Sequence, residues 1–370
     1  MKVFHVITTI NRGGAENHLV QLVRGQCVQG LQICVAYLKG DGYWATHLRA
    51  LGARVELLSL SHYGDLAPIW RLRSLIKEVS PDIVHVHMPP AELYTRLALL
   101  VLHPPPVLVI SKHNDEPFYR GLGQNAVARW VGRRAAHVIA ISNAVNSYVR
   151  DQLNLPAERM TTIHYGIDPG PYKLANESLR LDIRTEWGIP TAAFVIGTVA
   201  RFVPQKALHV LLSAYARYRT RAQLESRLVV VGRGPLEYKL QAHAHQLGLE
   251  SKVIWVGFRE DIPAVMNAFD TFVLTSSYEG FGLVLLEAMA AARPVVASRV
   301  SAIPEIVQDG ITGLLRRFGD HEGFAHALLS LEDAGVRARL GLAGRDRVFA
   351  HFTPERMAEA TLCLYKKYLP

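Results

Sequence analysis

Two doubly wound α/β domains facing each other across a cleft are predicted by three features of this chain. At 370 residues it is too long for a single hydrophobic core. Short apolar runs alternate with helical patterns in both halves, as βαβ units around a parallel sheet require. The alternation breaks once, at the turn-rich segment His164-Tyr165-Gly166-Ile167-Asp168-Pro169-Gly170-Pro171, which reads as a linker. The expected domains are therefore 1–168 and 172–350, with a C-terminal helix over 354–370.

Each element follows in order. The first strand, Val3–Ile7, alternates and runs into Asn11-Arg12-Gly13-Gly14, and a helix is expected over Ala15–Gln29. Further strands are predicted at Ile33–Leu38, Arg54–Leu58, Ile83–Val86, Val107–Ile110 and His137–Ala140, with a helix over Leu66–Val79. The second series is Phe194–Val199, Leu228–Val231, Val253–Val256, Thr271–Leu274 and Pro294–Ala297, again separated by helices. After Arg316 the pattern is helical only. Thr353-Pro354-Glu355 reads as a helix start, an N-cap followed by Pro at the first helical position. Ligands of open α/β sheets bind outside the carboxyl ends of the strands, so the strand-to-helix turns are where chemistry is expected.

Composition narrows the class. The chain is 49% apolar and 20% charged, which excludes a disordered segment. No apolar run reaches the roughly 18 residues of a membrane span. The strongest, Leu97 to Ile110, is broken by His103 and Pro104-Pro105-Pro106. The first residues have no small-residue cleavage site and are not read as a signal peptide. Cys27, Cys34 and Cys363 are odd in number and lack metal-ligand spacing, which points to free thiols in a reducing cytoplasm. A net charge of +9 favours anionic partners, nucleotides or an acidic lipid surface. Nucleic acid is disfavoured, because no recognition motif accompanies the charge.

The most informative residues are Glu279 and Glu287, in Ser277-Tyr278-Glu279-Gly280-Phe281-Gly282-Leu283 and the helix that follows. Glu287 interrupts an apolar helix, where an unpaired carboxylate is costly to bury; hydroxyl groups of a ligand would explain it. With the N–H groups of Phe281 and Gly282 at a helix N-terminus between them, the two carboxylates form a cradle for a sugar phosphate. Arg201 and Lys206, after the first strand of the second domain, suit a diphosphate leaving group, although a solvated basic loop is the commoner fate of such residues. Gly13-Gly14 would let a backbone approach an anion, or be a simple tight turn; the spaced glycines of a dinucleotide fingerprint are missing.

The remaining motifs carry less. Gly232-Arg233-Gly234-Pro235 and Gly257-Phe258 close two further strands, and the backbone after Gly257 is suited to a nucleobase edge. His85 and His87 share a strand face, so a metal is conceivable, but no third ligand has convincing spacing and hydrogen-bonding roles are expected. His113, on a loop after a strand, is better placed for a ligand, whereas His243 and His245 are expected at the surface. No Asp-x-Asp occurs, which leaves a carboxylate-held divalent metal unsupported. Arg129, Arg133, Arg134 and Trp130 share a helix that would suit anionic lipid, or be merely a solvated face.

Together these motifs resemble a known family. The element Glu279-Gly280-Phe281-Gly282-x4-Glu287-Ala288-Met289-Ala290 resembles the E-x7-E signature of retaining glycosyltransferases of family 4, also described as group 1. The Gly-Gly-Ala-Glu turn, Asp82-Ile83-Val84-His85-Val86-His87, Tyr165-Gly166-Ile167-Asp168, Arg201 with Lys206, and Gly232-x-Gly-Pro follow in the family's order over nearly the full length. The resemblance implies the GT-B fold, two Rossmann-like domains, with the C-terminal helix crossing back onto the first.

It also implies transfer of a hexose from a nucleotide diphosphate sugar, with UDP-glucose the favoured donor, to a saccharide or lipid-linked saccharide in polysaccharide biosynthesis. Anomeric configuration would be retained, with no protein nucleophile, metal or cofactor, and UDP would leave as product. By position, Glu287 would hold the ribose, while Glu279 and the Phe281, Gly282 and Leu283 segment would hold the sugar. Arg201 and Lys206 would neutralise the diphosphate, with Gly13, Gly14 and Gly232 close to it. His113 would face the sugar's 6-hydroxyl, and the backbone at Gly257 and Phe258 would bind the base. The acceptor would be read around 11–16, 88–92 and 113–120. Three positions depart from the family: Ala207 where Gly is usual, Arg233 where Asp is usual, and Tyr165 where Asn is usual. A UDP-sugar 2-epimerase and a noncatalytic sugar-nucleotide binder are the alternatives. A cytoplasmic location, with contact to an anionic membrane face, suits the charge.

Overall fold

The computed structural model describes residues 1–114, 124–172 and 177–369, the side chains of residues 124 and 125 excepted. The chain divides into two units: Met1–Ile167 with Thr353–Pro370, and Asp168–Phe352. Residues 115–120 of the expected acceptor region lie outside the described residues.

The first unit holds seven parallel strands: β1 (Lys2–Ile7), β2 (Gln32–Tyr37), β3 (Arg54–Leu57), β4 (Ile83–His87), β5 (Val107–Lys112), β6 (His137–Ala140) and β7 (Met160–Thr162). Their order is β3-β2-β1-β4-β5-β6-β7, doubly wound about β1 and β4. Apart from Lys2 both strands are buried along their whole length, so the polar His5, His85 and His87 lie in the interior. Register matters here. His5 lies opposite His85, and Ile7 opposite His87, so three imidazoles share one face of the central pair.

The helix Pro354–Lys366 belongs to this unit and packs on helix Gly14–Val28. Thr353 caps it, its hydroxyl accepting from the Arg356 N–H. The close approach depends on Gly25, where an added Cβ would stand 2.5 Å from the Ala358 Cβ and 2.9 Å from the Pro354 carbonyl oxygen. Met357, Ala358, Leu364 and Tyr365 thereby join the core of Val3, Ile7, Leu19 and Val23.

The second unit carries six parallel strands: β8 (Phe194–Val199), β9 (Ser226–Val231), β10 (Val253–Gly257), β11 (Thr271–Leu274), β12 (Val295–Ser298) and β13 (Gly313–Arg316), in the order β10-β9-β8-β11-β12-β13. Its core is built of Phe194, Ile196, Leu211, Tyr215, Tyr218 and their neighbours. β7 and β13 were not among the expected strands. Each is an edge strand with too few apolar residues to form a run, Met160 in the one and Leu314-Leu315 in the other, and is fixed by its neighbour's ladder.

Candidate active site

In the second unit the ends of β8, β9, β10 and β11 converge through loop contacts. Leaving β8, Arg201 is exposed and Phe202 is buried, and a short turn over Pro204–Lys206 leads to Ala207. This turn is bonded to the loop after β11: Ser277 N–H donates to the Gln205 carbonyl at 2.8 Å, and Gln205 Nε2 donates to the Tyr278 carbonyl at 3.0 Å. Ala207 has φ +46°, the left-handed region that favours glycine, which gives a backbone reason for the usual glycine at this position.

Tying those loops together brings Lys206 to Glu279. The Lys206 Nζ donates to Glu279 Oε1 at 2.5 Å, and the Ser276 hydroxyl donates to the same oxygen at 2.6 Å. Glu279 is 5% exposed. Cation and carboxylate thus share a single locus, with Lys206 and Glu279 paired to one another rather than standing apart. The next residues reverse the chain at Gly282 (φ +98°), which caps helix Leu283–Ala290, while Phe281 is buried edge-on against Phe352.

Glu287, one turn into that helix, is half-buried. Burial pushes its pKa up to about 7, and a hydrogen bond from the Tyr172 hydroxyl partly offsets the rise. Tyr172 was not anticipated. It follows the Asp168–Pro171 turn, where nothing in the sequence periodicity marks it as a partner.

Gly232 has φ +129°, and a Cβ there would lie 2.0 Å from the Ala200 carbonyl oxygen, so the β9 turn sits against the β8 turn. Its N–H donates to the Gly257 carbonyl at 2.7 Å, joining β10. Phe258, just beyond, is 54% exposed. The Arg233 guanidinium lies over Gly257, 3.4 Å from where a Cβ would stand.

The first unit presents a different arrangement. Gly13 has extended backbone, and the face where its Cβ would stand is covered by the buried Glu16, whose Oε1 accepts from the Thr9 hydroxyl at 2.6 Å. The expected close approach at Gly13-Gly14 is thus made at Gly13 by the chain's own carboxylate, favoured by the helix N-terminus. Beside His113, Lys112 and Glu92 form an ion pair at 2.5 Å with both side chains buried.

The histidines are linked. His85 and His87 do have a third imidazole near them, contrary to the expectation from spacing: His5, from β1, with the ligand atoms of all three within 4.8 Å of one another. Hydrogen bonds engage all six ring nitrogens. His5 Nε2 meets Gln26 Oε1 at 2.8 Å and His5 Nδ1 meets His87 Nε2 at 3.1 Å; His87 Nδ1 meets His113 Nε2 at 3.2 Å. His85 Nδ1 meets the Tyr365 hydroxyl at 2.5 Å and its Nε2 meets Ser111 Oγ at 2.7 Å. His113 Nδ1 is hydrogen-bonded to the Tyr165 hydroxyl. Burial lowers the pKa of His5 to about 4 and of His113 to about 3, with Lys112 adding to the fall at His113. His5 had a signal of its own, a polar residue on the buried face of a first strand.

Comparison with known proteins decides the family. The model described as "Glycosyltransferase Family 4" matches residues 12–170, and "Glycosyl transferases group 1" matches residues 180–347. The alpha-maltose-1-phosphate synthase of Mycolicibacterium smegmatis is 31% identical, over 96% of this chain and 95% of that one. The chain belongs to glycosyltransferase family 4. Another member, the putative glycosyltransferase EpsF of Bacillus subtilis, is 30% identical over 97% and 92% of the two chains. The crystal structure of Anabaena HepE in complex with UDP and glucose superposes with a TM-score of 0.87 at 25% identity, covering 99% of this chain and all of that one. Its parallel-sheet, Rossmann-like units are thus those of the GT-B fold.

Proposed function

We propose that this glycosyltransferase moves a hexose from a UDP-sugar, UDP-glucose foremost, to a saccharide or lipid-linked saccharide, with retention and without a bound metal. The second unit is the donor domain and the first reads the acceptor. The observation that carries the proposal is the Lys206–Glu279 pair, formed where the loops after β8 and β11 are bonded together at the carboxyl ends of one sheet; Arg201 lies on the first of these loops and Glu287 on the helix that follows the second. The complex of HepE with UDP and glucose supports the choice of UDP and of glucose.

Each group has a role in this reading. Glu287 accepts from the ribose hydroxyls, and Glu279 with the Phe281–Leu283 backbone holds the sugar. Gly232, Gly257 and Phe258 line the nucleotide, and Gly13, Gly14 and His113 act from the first unit. The bond between C1 and the diphosphate oxygen breaks while the acceptor oxygen bonds C1 on the same face. The acceptor's proton passes to the departing diphosphate oxygen. Arg201 and Lys206 stabilise the charge that grows there, so catalysis is electrostatic and positional.

The setting we propose is polysaccharide assembly in the cytoplasm, at an anionic membrane face. No helix of the described residues is long and apolar enough to cross a membrane. Trp130, on the helix that would suit anionic lipid or be a solvated face, is 38% exposed and has the Arg96 guanidinium 4.4 Å from its ring centre.

Isothermal titration with UDP, GDP and ADP, with and without EDTA, tests the donor assignment. UDP is expected to bind most tightly, with EDTA making no difference. A preference for GDP or ADP would replace the donor; loss of binding in EDTA would overturn metal independence.

A further inference from the structure

We propose that Gln26, His5 and His87 are positioning residues: through one directed chain of hydrogen bonds they hold His113 as the neutral tautomer protonated at Nε2. The importance of His113 to transfer rests on the function proposed above; the chain itself does not.

A neutral imidazole has one N–H and one lone pair, so fixing one ring nitrogen fixes the other. Gln26 is fully buried on helix Gly14–Val28. Its carbonyl oxygen lies 2.8 Å from His5 Nε2, and its amide nitrogen donates to the Tyr365 hydroxyl at 3.4 Å. A carbonyl oxygen only accepts, so the hydrogen is on His5 Nε2. His5 Nδ1 is then a lone pair, and His87 Nε2, 3.1 Å away, must donate to it. His87 Nδ1 accepts in turn from His113 Nε2 at 3.2 Å. His113 Nδ1 is left as the lone pair, receiving the Tyr165 hydroxyl hydrogen.

The described neighbours of His113 are aromatic rings and two charged side chains. The Tyr165 ring stacks on His18, centroids 4.1 Å apart, and His18 also lies edge-on to His113 at 5.2 Å. Lys112 faces His113 as a cation and Glu16 lies near Tyr165 as an anion. Burial, and then the Lys112 cation, disfavours a second proton on His113. Turning the Gln26 amide over would reverse every link, which makes the tautomer all-or-none and sets it three hydrogen bonds from the ring it controls. His113 thus carries at Nδ1 a lone pair, taken here by the Tyr165 hydroxyl, that can accept from a hydroxyl and cannot donate to a carboxylate.

Long-range proton–nitrogen correlation on the 15N-labelled full chain reads the tautomer directly. The wild type is expected to show His113 protonated at Nε2 and bare at Nδ1. Gln26→Leu, which removes the terminal acceptor, is expected to give mixed His113 tautomers and a fall in kcat of about ten-fold or more, as when orienting partners are lost elsewhere, with UDP affinity unchanged. Gln26→Glu keeps an acceptor and is expected to restore both. A wild-type His113 protonated at Nδ1, or a Gln26→Leu spectrum with His113 unchanged, would overturn the proposal. The wild-type spectrum decides it even if Gln26→Leu does not fold. Absence of sugar transfer by the wild type would overturn the transferase reading and leave the tautomer measurement standing.

Discussion

The two units solve the same topological problem with opposite electrostatics. Both are doubly wound parallel sheets whose two central strands are buried over nearly their whole length, with polar groups on the strands or at their ends. In the first, those groups are imidazoles whose six central ring nitrogens are spent on one another, on Gln26, Ser111 and Tyr365, and on His113. In the second they are opposite charges, with Arg201 exposed, Lys206 paired to the buried Glu279, and Glu287 half-buried and accepting from Tyr172. A group whose hydrogen-bonding capacity is used up holds the fold. One with capacity to spare can hold a ligand. The comparison therefore predicts that substitution of His85, whose partners Ser111 and Tyr365 lie off the chain leading to His113, reads out as stability, and that substitutions among the second unit's charges read out as binding or turnover.

The largest effect should come at Lys206. Lys206→Ala removes a cation from the leaving diphosphate, and turnover is expected to fall roughly a hundred-fold or more, the scale of losing one charge-stabilising donor. Because Glu279 keeps Ser276 as a partner, folding should be little affected. Turnover close to the parent's would break the electrostatic assignment. Glu287→Ala follows, with nucleotide binding weaker by about 1.5–3 kcal/mol, the worth of charge-assisted hydrogen bonds. Titration calorimetry with UDP measures it, and parent-like affinity would remove the ribose role.

His85→Leu probes the other side. It strips a partner from Tyr365 and Ser111 in a fully buried setting and is expected to cost about 1–3 kcal/mol of first-unit stability in urea unfolding. UDP binding, which the proposed function assigns to the second unit, should stay at the parent value. A stable variant would mean the imidazole network carries less of the fold than its saturation implies.

How far the sequence disclosed all this follows the same divide. Strand positions in both units were legible to within a residue or two, because buried parallel strands announce themselves as apolar runs. The edge strands β7 and β13 were not: Met160-Thr161-Thr162 holds one apolar residue and Gly313-Leu314-Leu315-Arg316 two, too few for a run. In the second unit, Glu279 and Lys206 stood out as charges on strand-end turns, and a local pattern sufficed to pair them with a purpose. The imidazole chain joins residues 5, 26, 87, 113 and 165, and only sheet register and helix packing bring them together. His85 and His87 could be seen to share a face; that His5 completes the group depends on β1 pairing with β4. Tyr172 lay hidden for a different reason, as an aromatic in an irregular turn whose partner is more than a hundred positions away.

That tyrosine gives the finest test. Burial raises the Glu287 pKa to about 7 and the Tyr172 hydroxyl, donating to the ionised form, opposes the rise. A carboxylate raised on folding adds stability below its ordinary titration range and loses it as pH climbs toward 7. Ligand binding runs the other way, since ribose hydroxyls need the ionised acceptor. UDP affinity is therefore expected to increase with pH and level off above about 7. In Tyr172→Phe the levelling point should move to higher pH, with a loss at neutral pH of about 0.5–1.5 kcal/mol, the net value of one hydrogen bond. At a pH well above the shifted value, the variant and the parent should converge. A levelling point that persists near 7 in Glu287→Gln would assign the titration to another group, and the contrast between a spent first unit and an available second would lose its clearest witness.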